Sequence, residues 1–234
     1  MDWESLAEPI RSLTNKNIAF PWPRNDAGRS KIITTLSDLL PREDVERACL
    51  GNSNEAMNRN LRLLVSPYFK TADQAAISDL SVWIVKEWGG IKRGTDAIPA
   101  WCNELSDFSP TSIDKFVTRM GTARISSWSK IIAFASPSTD AIYDARTAVA
   151  INCALHSIGI KKGFFMPLGR NKDVNPASIL LKKNGFKEIY GYKEYIELLR
   201  HISKLDKGDD ILEVEMDLFA NAPSIANSFS RTFS

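Results

Sequence analysis

Apolar residues recur along this chain at helical spacing far more often than in alternation. The longest stripe is Ile77, Leu80, Ile84 and Trp88, which predicts a helix from Thr71 to Trp88 stopped by Gly89-Gly90. Upstream, the same spacing predicts helices over Ser30 to Leu40, closed by Pro41, over Asp44 to Leu50, and over Glu55 to Leu64, stopped by Ser66-Pro67. The first twenty-five residues read as irregular, with turns at Pro21-Trp22-Pro23 and Asn25-Asp26-Ala27-Gly28. Beyond Gly94 the pattern predicts a short helix over Ile98 to Leu105. A further one runs from Thr111 to Met120, with Asp114 at capping-box spacing from Thr111 and Gly121 as its end. Ser127 to Ala135, Asp144 to Ile158, Ala177 to Lys183 and Tyr192 to Leu205 complete the series.

One stretch disagrees. Leu212 to Leu218 alternates with period two, which by itself predicts a strand. No other stretch alternates comparably, so a strand there would leave an unpaired edge, and a helix is expected. From Ser224 the chain is rich in Ser and Asn and is expected to be loosely held. The expected fold class is all-α. The expected organisation is an N-terminal helical region over 1–70 packing on a core, the core over 71–222, and a flexible tail over 223–234.

Composition adds limits. The 234 residues are 44% apolar and 25% charged, which is ordinary for a globular chain. The net charge of +2 excludes a polycation or an acidic tail protein, but it hides a partition. Lys161 to Lys204 holds ten basic residues against four acids, whereas Asp206 to Asp217 holds six acids against one lysine. A polyanion would meet the first run and avoid the second. Cys49, Cys102 and Cys153 are scattered and odd in number, and with only His156 and His201 beside them no disulfide framework or metal site is expected. No cofactor is expected either. Met1-Asp2-Trp3-Glu4 shows no signal-peptide pattern, and no apolar run reaches membrane length, so a cytoplasmic chain without membrane contact is expected.

The chemistry concentrates between Met120 and Leu155. A helix, a Gly121 turn, a helix carrying Lys130, a short loop and then Asp144 at the head of another helix follow one another. A turn of this kind presents free backbone N–H groups at the start of its second helix, and such groups can hold a phosphate without reading sequence. The segments Trp128-Ser129-Lys130-Ile131-Ile132-Ala133-Phe134 and Ala141-Ile142-Tyr143-Asp144-Ala145-Arg146-Thr147-Ala148-Val149 resemble the helix–hairpin–helix DNA glycosylase superfamily. The branch they look most like is the bacterial 8-oxoguanine DNA glycosylase-like proteins, some of which lie in anti-phage defence operons. Ser81 to Gly90 and Glu215 to Phe219 add to the resemblance, which spans residues 75 to 220.

The resemblance implies a helical glycosylase-like fold and excision of a damaged or modified base from double-stranded DNA, with protein partners from a defence operon. It places Asp144 as the carboxylate that stabilises a cationic sugar, and Lys130 as an amine that attacks C1′ to form a Schiff base. The DNA contacts it implies are Gly121, Thr122, Arg124, Ser126, Ser127 and Arg146, with Lys161 and Lys162 from the basic run. Two features depart from the family's pattern. Its G-x-G turn is represented by Gly121 alone, with Arg124 in the loop, and Lys130 lies closer in sequence to Asp144 than is usual.

Each residue also has a plainer role. Asp144 is a good helix N-cap, a role compatible with catalysis. Lys130, Arg146, Lys161, Lys162, Arg170, Lys172, Lys182 and Lys183 fit solvated faces, and the six tryptophans fit the core. Glu213, Glu215 and Asp217 would share one face of a strand, as a metal site or a solvated acidic edge. The alternative functions are a non-catalytic DNA-binding module on the same fold, or a scaffold subunit of a defence complex docking through the acidic segment after Asp206.

Overall fold

A computed structural model describes residues 2–15, 18–23, 25–167, 171–205 and 210–233. Arg170 of the basic run, and Asp206 to Asp209 of the acidic run, lie outside the described residues. The described chain is predominantly helical. Its first half holds α1 (Trp3–Arg11), α2 (Asp26–Leu36), α3 (Arg42–Cys49), α4 (Asn54–Val65), α5 (Tyr68–Thr71) and α6 (Gln74–Trp83). A π-helical turn at Ile84–Trp88 extends α6, and α7 (Ile98–Leu105), α8 (Pro110–Met120) and α9 (Ile125–Ala135) follow. Then come α10 (Ala145–Ser157), β1 (Lys162–Phe164), α11 (Asn175–Lys183), β2 (Lys187–Tyr190), α12 (Tyr192–Ser203) and α13 (Ile211–Phe233).

The chain forms two compact units. The first comprises Met1–Phe20, Gly121–Ser126 and Tyr143–Ser234, and the second Pro21–Met120 and Ser127–Ile142. Neither unit has a boundary at residue 70.

In the first unit α10 is the central element. Every residue from Thr147 to Leu155 is buried, as expected of a helix enclosed on all sides. It packs against α13, β1, α11 and α1, and Ala148, Ala150 and Ala154 let those neighbours approach closely. The alternation at Leu212 to Leu218 belongs to α13, not to a strand. Leu212, Val214, Met216 and Leu218 are all buried, together with Ile211 and Glu215, because α13 is covered by α10, α11 and α12 at once.

The all-α fold class stands, and three finer expectations are corrected. The N-terminal stretch is helical: Trp3, Leu6, Ala7 and Ile10 line one buried face of α1, and Asp2 caps it by accepting the Ser5 N–H. The segment from Ser224 to Phe233 continues α13, and Ile225, Ala226 and Phe229 are buried. Within this all-α architecture the described residues also hold one short pair of strands. β1 and β2 pair in parallel, Lys162 opposite Lys187, with α11 as the crossover. Asn152 of α10 holds this small sheet: its amide donates to the Phe164 carbonyl at 2.7 Å and accepts the Phe164 N–H at 2.8 Å. Lastly, α8 is capped by Ser109, whose hydroxyl accepts the Ser112 N–H at 3.3 Å, and not by Thr111.

The second unit contains α2 to α8 and most of α9. The long helix expected over Thr71 to Trp88 is interrupted by Asp73, whose carboxylate accepts the Ala76 N–H at 2.8 Å and starts α6 afresh. Trp83, Ile84, Val85 and Trp88 are buried at its far end. There the widened turn closes through the Gly89 N–H to the Ile84 carbonyl at 2.8 Å.

Candidate functional site

Asp144 stands at the N-cap of α10 in an extended conformation. Its Oδ1 accepts the N–H groups of Arg146 at 2.8 Å and Thr147 at 3.1 Å. The Thr147 hydroxyl accepts the Asp144 N–H in return, at 3.3 Å. This is a capping box closed by threonine in place of the usual Glu or Gln. One carboxylate oxygen does all of that work. Among the described residues, Oδ2 of the half-buried Asp144 makes no hydrogen bond.

A buried polar group lies behind the cap. The Tyr195 hydroxyl hydrogen-bonds with Thr147, and burial raises its proton affinity well above the ordinary phenol range, with the charges of Glu215 and Asp144 adding to the rise. Tyr143, next in chain to Asp144, stacks edge-on against Tyr195 at 4.9 Å and donates to the Phe165 carbonyl at 2.6 Å. Its phenol is likewise pushed up, by burial first and then by Glu188 and Glu194. Both tyrosines therefore stay protonated at physiological pH, Tyr143 bound to the Phe165 carbonyl and Tyr195 to Thr147.

Arg146 points away from solvent. Its guanidinium lies 3.2 Å from the Asp173 carboxylate and 4.8 Å over the Phe219 ring. A residue expected at a DNA phosphate is thus held by an acid and a ring of its own unit. The expected turn after α8 is present. Gly121 and Arg124 both take left-handed backbone, each with φ 54°. Gly121, Thr122 and Arg124 are exposed, whereas Ser126 and Ser127 are half-buried on the first turn of α9.

Lys130 belongs to the second unit and is only 6% exposed, an uncommon environment for lysine. Its stem passes directly over Gly89, where a Cβ would come within 2.8 Å of Lys130 Cδ. One turn further along α9, Phe134 stacks edge-on against Trp88 at 5.0 Å. The Arg62 guanidinium, fully buried, lies 5.7 Å from the Phe134 ring and 5.9 Å from that of Trp88. Arg62 escapes a sequence reading because it interrupts the apolar stripe of α4 beside Leu61. Asp144, by contrast, belongs to the first unit.

Lys161 and Lys162 are exposed at the start of β1. The acidic run is largely occupied by structure. Asp210 and Glu213 cap each other's backbone at the head of α13, Glu215 is buried, and Asp217 pairs with Arg11 at 3.2 Å. On a helix, Glu213, Glu215 and Asp217 do not share a face. Among the described residues no three His, Cys, Asp or Glu side chains are grouped to hold a metal. The cysteines are buried, with the Cys49 thiol pushed up to about 11 and Cys153 to about 12 by burial, which makes them poor nucleophiles.

Compared with family models, curated proteins and solved structures, the chain finds no significant match.

Proposed function

We propose that this chain is a DNA glycosylase-like protein that excises a damaged or modified base, with Asp144 as its carboxylate. The observation that carries the reading is the division of labour within that side chain. Oδ1 is fixed by two backbone N–H groups, while Oδ2 makes no hydrogen bond among the described residues. A carboxylate held at one oxygen and available at the other is preorganised to meet positive charge.

In the excision step the C1′–N bond breaks, the bonding pair leaves with the base, and positive charge builds on C1′ and the ring oxygen. A carboxylate beside that carbon lowers the barrier, and water then adds to C1′ with loss of a proton. Replacing water by an amine gives a Schiff base and strand cleavage by β-elimination. By the resemblance alone, that step falls to Lys130. The exposed turn at Gly121, Thr122 and Arg124 supports backbone contact to phosphate.

The test is base release from duplexes carrying oxidised guanine and other modified bases. Asp144→Asn keeps a good N-cap, so stability stays within a few tenths of a kcal/mol, while release is expected to fall by about 100-fold. Borohydride trapping on abasic duplex, lost in Lys130→Gln, reports the lyase step separately. No release from any duplex by the parent protein overturns excision. A second reading, DNA binding without excision, draws on the closed capping box, which gives Asp144 a complete structural role. It predicts that Asp144→Asn binds undamaged duplex as the parent does and that neither protein releases a base.

A further inference from the structure

Lys187 is the residue that the sheet adds to the basic run. It lies twenty-five positions from Lys162 in sequence, yet β1 and β2 pair so that the two are register partners. Neighbouring strands run about 5 Å apart, and register partners project to the same side of the sheet. The Lys187 N–H also donates to the Lys161 carbonyl at 2.9 Å, which brings a third lysine to the same end. All three side chains are exposed. Among the described residues none of them forms an ion pair. The nearest acid on β2, Glu188, is engaged by Lys182 of α11 at 2.9 Å.

Like charges set opposite one another across strands cost stability, and among the described residues no ion pair offsets them. The platform beneath is rigid. Asn152 holds Phe164 by two hydrogen bonds, and at Gly163 a Cβ would meet Asn152 Oδ1 at 2.4 Å and Phe186 at 2.6 Å, so the strand lies flush on α10. The field of this cluster reaches inward as well. His156 holds its proton less tightly than an ordinary imidazole, through burial first and the Lys161 charge second.

We propose that Lys162 and Lys187 form one phosphate-contact face for the backbone of duplex DNA, with Lys187 an equal member and Lys161 at its edge. This rests on the reading that the partner is DNA, but not on excision. Two exposed lysines on register-paired strands, with a third beside them in sequence, suit a row of phosphates, which carry one charge per step and require no base contact.

The experiment is fluorescence anisotropy of an undamaged duplex titrated with the full chain across a potassium chloride series. Each phosphate contact contributes about 0.9 to the slope of log affinity against log salt. Lys187→Gln should reduce that slope by about one, and the double Lys162→Gln/Lys187→Gln variant by about two, with unchanged circular dichroism. Lys70→Gln, an exposed lysine of the other unit, should leave it unchanged. A parental slope in Lys187→Gln, or an equal loss in Lys70→Gln, overturns the proposal while leaving DNA as the partner. Absence of duplex binding by the parent overturns both. Normal binding with the expected slopes but no base release sinks excision alone and leaves this face standing.

Discussion

Arg124 holds a backbone conformation that costs an L-residue about 1–2 kcal/mol, at a place where a glycine would hold it freely. Sequence shows only that the turn has a single glycine. The structure shows that a second left-handed position exists and that arginine fills it, an outlier of the kind that clusters at working sites. Two variants separate backbone from side chain. Arg124→Ala and Arg124→Gly both remove the guanidinium, so both should weaken duplex binding equally. Only glycine relieves the strain, and urea denaturation should find it more stable than the alanine variant by about 1 kcal/mol. Equal stability would show that the φ of 54° carries no strain. Asp144 is the most legible residue of the candidate site, because Asp followed three positions later by Thr is a readable cap. Arg146 is the least legible, since the acid and ring that hold it come from Asp173 and Phe219, far along the chain.

At the level of elements, the two strands are hidden because three and four residues are too few to show alternation. What makes them strands is tertiary: parallel pairing across a helix, and an asparagine from α10. Asn152→Ala removes both of its hydrogen bonds and leaves a buried N–H and carbonyl of Phe164 unpaired. Each orphaned group costs about 1–3 kcal/mol, so denaturation should report a loss of about 2–6 kcal/mol. A loss below 1 kcal/mol would mean that the sheet is held by other means. The far end of α13 has its own device. Phe229 and Phe233 stack on the His156 ring at 5.2 and 4.9 Å, and both ring nitrogens are shut off from water without a hydrogen-bond partner among the described residues. The folded state therefore binds the His156 proton more weakly than the unfolded chain, whose imidazole titrates near 6.5. The sign follows from linkage: the stability contributed by neutral His156 is present above about pH 6.5 and is lost as pH falls below it. Urea midpoints at pH 5.5 and 8 should differ more for the parent than for His156→Leu. An identical difference in the two proteins would exclude His156 as the source.

For the whole molecule, helical character is legible because stripes such as Ile77, Leu80, Ile84 and Trp88 follow from local spacing alone. The two-unit organisation is not. Nothing local in Trp3 announces that its ring packs on Phe164 and Tyr190, at 5.6 and 5.1 Å. Pro9 inside α1 and the proline-rich stretch after it also mask the helical spacing of Leu6, Ala7 and Ile10. Charge gives a similar lesson. The acidic run looks like a surface patch in sequence, yet its described members are largely spent on a cap, the core and an ion pair with Arg11. The basic run keeps its exposed lysines at the sheet.

The interleaving of the two units also sets an order of events during synthesis. Residues 21–142 emerge early and supply the whole of the second unit. α1 leaves the ribosome before them, but it packs on α10 and α12. Its link to α13 runs through Arg11 with Asp217 and the Asn15 N–H with Asn221, each pair 206 positions apart. The apolar face of Trp3, Leu6 and Ile10 must therefore wait, uncovered, until almost the entire chain has been made. That wait makes the helix over 3–11 the segment from which aggregation is expected to start when the protein is expressed at high rate.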